Sequence, residues 1–184
     1  MIKLQLIKFG WGFRFILLMA GVAAVALVQA DDAIPVRENF CEGWQFHLGD
    51  VAGAEQPGLD DSAWRTLDVP HDWSIELPLD PKVSDGISVG YLPGGIGWYR
   101  KSFTIPKEDE GKKVYIDFDG VYMNSKVWIN GKLLGGRPFG YMGFRYDLTP
   151  YLNYGGKMSS RSRRMSVRAI AGGILALAFI AGSG

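Results

Sequence analysis

At 184 residues the chain has room for one domain of ordinary size. Its 20 Lys and Arg stand against 19 Asp and Glu, so it lacks the basic excess of a dedicated nucleic-acid binder, and no nucleic-acid partner is expected. The single cysteine, Cys41, excludes an internal disulfide; with only His47 and His71 available as bases, it reads as a small apolar side chain rather than a nucleophile.

Residues 1–30 begin with a positive segment (Lys3, Lys8, Arg14) and continue with an apolar run over 15–28. Val28-Gln29-Ala30 then offers compact residues at the two positions a signal peptidase reads, and Asp31-Asp32 follows. This pattern predicts a secretory signal peptide cleaved after Ala30, with the mature chain secreted or periplasmic. The alternative is a retained membrane anchor, but the apolar run falls short of the roughly 20 residues a spanning helix needs. No stable membrane span is expected after cleavage.

From Trp44 to Leu152 apolar residues alternate instead of recurring at helical spacing. The one helical candidate is LDDSAW (59–64), a single turn capped by Asp60 or Asp61. The stretch 74–96, with several Gly and Pro and little periodicity, predicts a surface loop, and long loops in compact domains are commonly functional. GWYRKSFTIP (97–106) puts Trp98, Arg100, Ser102 and Thr104 on one strand face and Tyr99, Lys101, Phe103 and Ile105 on the other. KKVYIDFDGV (112–121) sets Val114, Ile116 and Phe118 against Tyr115, Asp117 and Asp119. SKVWINGKLLGG (125–136) predicts a hairpin about Asn130-Gly131, because a type I′ turn needs positive φ at both central residues. GFRYDLTPYL (143–152) predicts a last strand ending near Pro150, which cannot donate to a sheet ladder. Short strands joined by turn chemistry at this spacing indicate an all-β sandwich or barrel.

No complete catalytic constellation accompanies these strands. Asp72, Glu76, Asp85, Asp117 and Asp119 are present, but no pair falls in a pattern that assigns acid and base roles. There is no Gly-x-Ser-x-Gly, no HExxH and no phosphate-binding glycine loop, and two histidines are too few for a typical zinc site. No metal and no cofactor is expected, and no exposed aromatic platform is evident.

Taken in order, WRTLDVPHDWSIE (64–76), GYLPGGIGWYRKSFTIP (90–106) and VYIDFDGVYMNSKVWINGKLLGGRPFGYMGFRYDLTPYL (114–152) resemble the N-terminal domain of glycoside hydrolase family 2, most nearly its bacterial β-galactosidases. The resemblance covers about residues 36–156 and implies a jelly-roll β-sandwich of the galactose-binding-like kind. It further implies that an immunoglobulin-like sandwich and a TIM barrel follow. The barrel carries the two glutamates of retaining hydrolysis, and neither glutamate has a counterpart here, so no catalytic residue is assigned. The family's N-terminal domain lends a loop to the edge of the active site, and by position that loop matches the segment around Asp85 and Gly86. Asp85 then accepts hydrogen bonds from sugar hydroxyls, or it starts an Asx-type turn. In His71-Asp72-Trp73, either Trp73 stacks on a sugar while His71 or Asp72 binds a hydroxyl, or Trp73 packs under the long loop while Asp72 satisfies backbone amides.

The tail KMSSRSRRMSVRAIAGGILALAFIAGSG (157–184) departs from the family, which continues with a strand like ENVLAVKAD and a segment like NSRWYTGSGIYRRVW. Loss of one nucleotide near Gly156-Lys157 reconciles the two. Each restored codon takes the last base of one displayed codon and the first two of the next, and the family residue is permitted throughout both blocks. At Phe179-Ile180, for example, only Tyr or His can be restored. Residues 157–184 are therefore expected to be an aberrant, frameshifted tail, and the sandwich (31–156) to lack its last strands and be marginally stable. The expectation is a fragment of a secreted β-galactosidase-like enzyme, with carbohydrate as partner through the intact parent and no activity alone. A stand-alone carbohydrate-binding module and a membrane-tethered interaction protein are the alternatives.

Overall fold

The computed structural model describes residues 36–83, 86–152, 163–170 and 173–182. The chain divides into two compact units, Met1–Asp32 and Ala33–Gly184; the expected signal peptide (residues 1–30) lies outside the described residues. The second unit is all β. Its strands are β1 (Val36–Asn39), β2 (Trp44–Leu48), β3 (Arg65–Leu67), β4 (His71–Asp72), β5 (Ile96–Phe103), β6 (Lys113–Val121), β7 (Ser125–Ile129), β8 (Lys132–Arg137), β9 (Phe144–Asp147), β10 (Arg163–Ile170) and β11 (Gly173–Gly182).

They form two sheets. One runs β1-β11-β6-β9, with β4 also on β11; the other runs β3-β2-β5-β10-β7-β8. Inward-facing residues of both build one core. Val114, Ile116 and Phe118 of β6 meet Trp44 and Phe46 of β2, Tyr99 of β5, and Val127 and Ile129 of β7. The period-2 burial along β6 and β7 is the alternation their sequences carry.

The hairpin turns where the sequence places it, with φ of 52° at Asn130 and 79° at Gly131. Strand β9 is shorter than expected: it ends at Asp147, and a 3-10 turn over Thr149–Tyr151 takes the chain past Pro150. The expected helical turn at 59–64 is an irregular segment instead. Asp60 accepts from the Ser62 amide at 3.0 Å, and the Trp64 amide bonds to the Asp61 carbonyl at 3.0 Å. The competing interaction is Arg100, fully buried on the outer face of β5, which draws this segment across the sheet. Its guanidinium donates to the carbonyls of Gln56 (2.8 Å) and Leu59 (3.2 Å) and lies 3.6 Å from Asp61.

The strands expected to be missing have counterparts in the tail. Strand β10 lies between β5 and β7, pairing Arg163 with Phe103 through Ile170 with Ile96, and Met165 with Ile129 through Arg168 with Lys126. MSVRA has the needed alternation: Met165, Val167 and Ala169 join the core. Strand β11 lies between β1 and β6. Both sheets remain open, with β1 and β9 at the edges of one and β3 and β8 at those of the other.

Candidate functional site

The cis-prolyl link Val69–Pro70 leads into β4, which holds His71 and Asp72. The Nδ1 of His71 lies 2.7 Å from the hydroxyl of buried Tyr99. Its Nε2 lies 2.7 Å from Arg65 Nη2 and 3.1 Å from Glu76 Oε1, so neutral it accepts from Arg65 and protonated it donates to Glu76. Arg65 reaches both oxygens of Glu76, at 3.0 and 2.8 Å. Partial burial pushes the Glu76 carboxyl up, but hydrogen bonds from Arg65 and His71, aided by the Arg65 charge, outweigh it and hold Glu76 below the ordinary glutamate value. The result is an ordered, part-exposed row of donors and acceptors.

Asp72 faces its own chain. Its Oδ1 accepts from the Ser74 amide (2.9 Å) and the Ser74 hydroxyl (2.6 Å), an Asx turn that opens the 3-10 turn Ser74–Glu76. Trp73 is 1% exposed, stacks on Phe46 (5.8 Å between centroids), and covers Gly97 so closely that a Cβ there would lie 2.6 Å from its ring. Its indole N–H has no hydrogen-bond partner among the described residues. Of the residues singled out in the sequence, His71, Asp72 and Trp73 are thus brought together, but only His71 joins the polar row. Asp85 lies outside the described residues. Beyond it, Gly86 accepts the Tyr91 amide (2.9 Å) and the carbonyl of Tyr91 accepts the Asp80 amide (2.9 Å), which ties the loop to itself.

Sequence reasoning missed Arg65 and Tyr99 as partners of His71, since the three meet only through sheet pairing. It also missed the loop between β8 and β9. There Phe139, Tyr141 and Met142 are 59%, 73% and 66% exposed. Tyr141 meets Phe139 and Tyr122 edge-on, at 5.8 and 5.2 Å between centroids. Gly140 is buried between them, with the space for a Cβ filled by the Tyr122 ring and by its Cα at 2.9 Å. The signal was available: PFGYMG is aromatic sequence held in a Pro/Gly turn, where no ladder partner buries it.

Strand β11 relates the two features. Ile174 pairs with His71 on one side and with Val121, next to Tyr122, on the other. His71 and Val121 therefore flank one residue of β11, with their backbones about 10 Å apart, two strand spacings. Among the described residues, no group of three His, Cys, Asp or Glu could hold a metal ion, and no helix is long and apolar enough to cross a membrane.

The sequence pattern of the glycosyl hydrolases family 2 sugar binding domain matches residues 21–162. The chain belongs to this family. A beta-galactosidase of Bacteroides ovatus is 56% identical over 118 residues, covering 64% of this chain and 14% of that protein. A protein of Formosa agariphila named putative beta-glucuronidase is 46% identical over 134 residues, covering 73% of this chain and 13% of its own. The crystal structure of a beta-glycosidase from Bacteroides vulgatus superposes with a TM-score of 0.72 at 42% identity, over 79% of this chain and 20% of that one. This family 2 domain thus spans about a seventh of the length of the curated relatives it matches.

Proposed function

We propose that the chain is the sugar-binding sandwich of an exported β-galactosidase-like hydrolase, and that it supports carbohydrate binding by the whole enzyme without catalysing hydrolysis itself. The observation that carries this reading is the 56% identity to the Bacteroides ovatus beta-galactosidase. Relatives named for glucuronides also match, at lower identity, so the galactoside is the preferred arm of the test. The purified chain is offered chromogenic β-galactosides and β-glucuronides. No turnover of either is expected, and turnover by this polypeptide would overturn the reading. Export is supported by the charged, apolar and small-residue order of residues 1–30. Fractionation of an expressing Gram-negative cell, followed by N-terminal sequencing, checks it; Asp31 at the terminus is the expected result.

The reading of the tail as out of frame has two supports. The family match ends at residue 162, one residue before β10 begins. In the middle of β10, the Ser166 hydroxyl is fully buried and has no hydrogen-bond partner among the described residues, an arrangement that selected cores avoid. The nucleotides after the Gly156 codon decide the matter. An alternative frame that does not spell Trp-Tyr ahead of Gly-x-Gly sinks it.

A further inference from the structure

We propose that Phe139 and Tyr141, braced by Tyr122, form a stacking platform for one neutral β-hexopyranoside ring. The proposal rests on the reading of the domain as sugar-binding and names the surface that does the binding.

Three observations carry it. First, the rings are open: Phe139 and Tyr141 stay more than half exposed even where they meet each other and Tyr122 edge to face. A pyranose presents a patch of C–H groups on one face; in galactose the axial hydroxyl at C4 gathers the hydrogens of C3, C4 and C5 on the opposite side. Such a patch meets the negative face of an aromatic ring favourably and loses little hydration in doing so. Second, the loop is held in place. Gly140 is wedged against Tyr122, and the Asn124 amide bonds the Pro138 carbonyl at 3.2 Å, so the rings are displayed on a fixed turn that needs little ordering when a sugar arrives. Third, hydroxyl partners border it. Exposed Asp119 has its Cα 3.8 Å from the Cβ position of Gly143, the residue after Met142. His71 lies across β11 from Val121, the residue before Tyr122. Exposed Asp119 beside the loop repels a uronate carboxylate, while the cation Arg137 is drawn over the Phe144 ring at 5.6 Å.

The test is saturation-transfer NMR on the purified chain with methyl β-D-galactopyranoside and, separately, methyl β-D-glucuronide. The expected result is transfer to the galactoside H3, H4 and H5, weaker transfer to the glucuronide, and affinity about tenfold lower in Tyr141→Ala and Phe139→Ala. Tyr141→Phe, which keeps the ring, should retain binding, and far-ultraviolet circular dichroism and the melting midpoint should match the parent in all three. Galactoside binding unchanged in Tyr141→Ala, or no binding by the parent chain, would overturn the platform. So would self-association that Tyr141→Ala abolishes, because the face would then dock protein. These outcomes are separable from failure of the functional reading: turnover of a chromogenic galactoside overturns that reading and leaves the platform standing, whereas binding that ignores Tyr141 does the reverse.

Discussion

Trp73 and Gly97 show how a short motif acts through packing. The indole ring occupies the volume that any side chain at position 97 would need. Trp73→Ala should cost about 3–5 kcal/mol, read as a drop in the denaturation midpoint at unchanged slope. Gly97→Ala should cost about 1–3 kcal/mol, since a buried ring cannot swing aside. On the outer face of the other sheet, Arg145 donates two bonds to Asp117, at 2.6 and 2.9 Å. Those bonds, more than the burial that opposes them, hold the Asp117 carboxyl below its usual value. A carboxyl depressed in the folded state contributes stability that is present above its unfolded pKa and is lost as pH falls through the folded one. Stability of the parent should therefore decline below about pH 4, and Asp117→Asn should flatten that acid limb in melts taken across pH.

Strand identity was legible wherever alternation and turn chemistry agreed. The Lys113–Val121 strand and the Asn130-Gly131 hairpin emerge almost to the residue, because one buried face and two positive-φ positions admit a single register. Gly131→Ala should cost about 1–2 kcal/mol by thermal melt, since φ is 79° and Gln56 Oε1 lies 3.1 Å from the new methyl. The irregular path of 59–64 was not legible, because a buried arginine from a distant strand dictates it. His71 could be picked out from its sequence neighbours, whereas Arg65 and Tyr99 reach it only once β2 has brought β3 and β5 together. The aromatic loop escaped because alternation reports burial and says nothing of rings held away from a partner. In β10 the apolar positions suit the core, but Ser166 does not; Ser166→Ala should raise stability by about 1 kcal/mol, measured as an increase in melting temperature.

At the scale of the whole molecule, the tail bears on more than local packing. Both tail strands lie between older neighbours: β10 separates β5 from β7, and β11 separates β1 from β6. Deleting residues 163–182 should therefore abolish the cooperative melt of the sandwich, which circular dichroism on the shortened chain would show.

The pairing of Val36 with Ala181 has a temporal corollary. The earliest strand of the sandwich has no lasting neighbour until the ribosome has delivered nearly all the rest. Closure of so distant a contact is slow, on the order of milliseconds to seconds, and cannot begin before β11 has been synthesised. Under the proposed export that delay is an advantage, because it keeps the polypeptide threadable for a translocation channel.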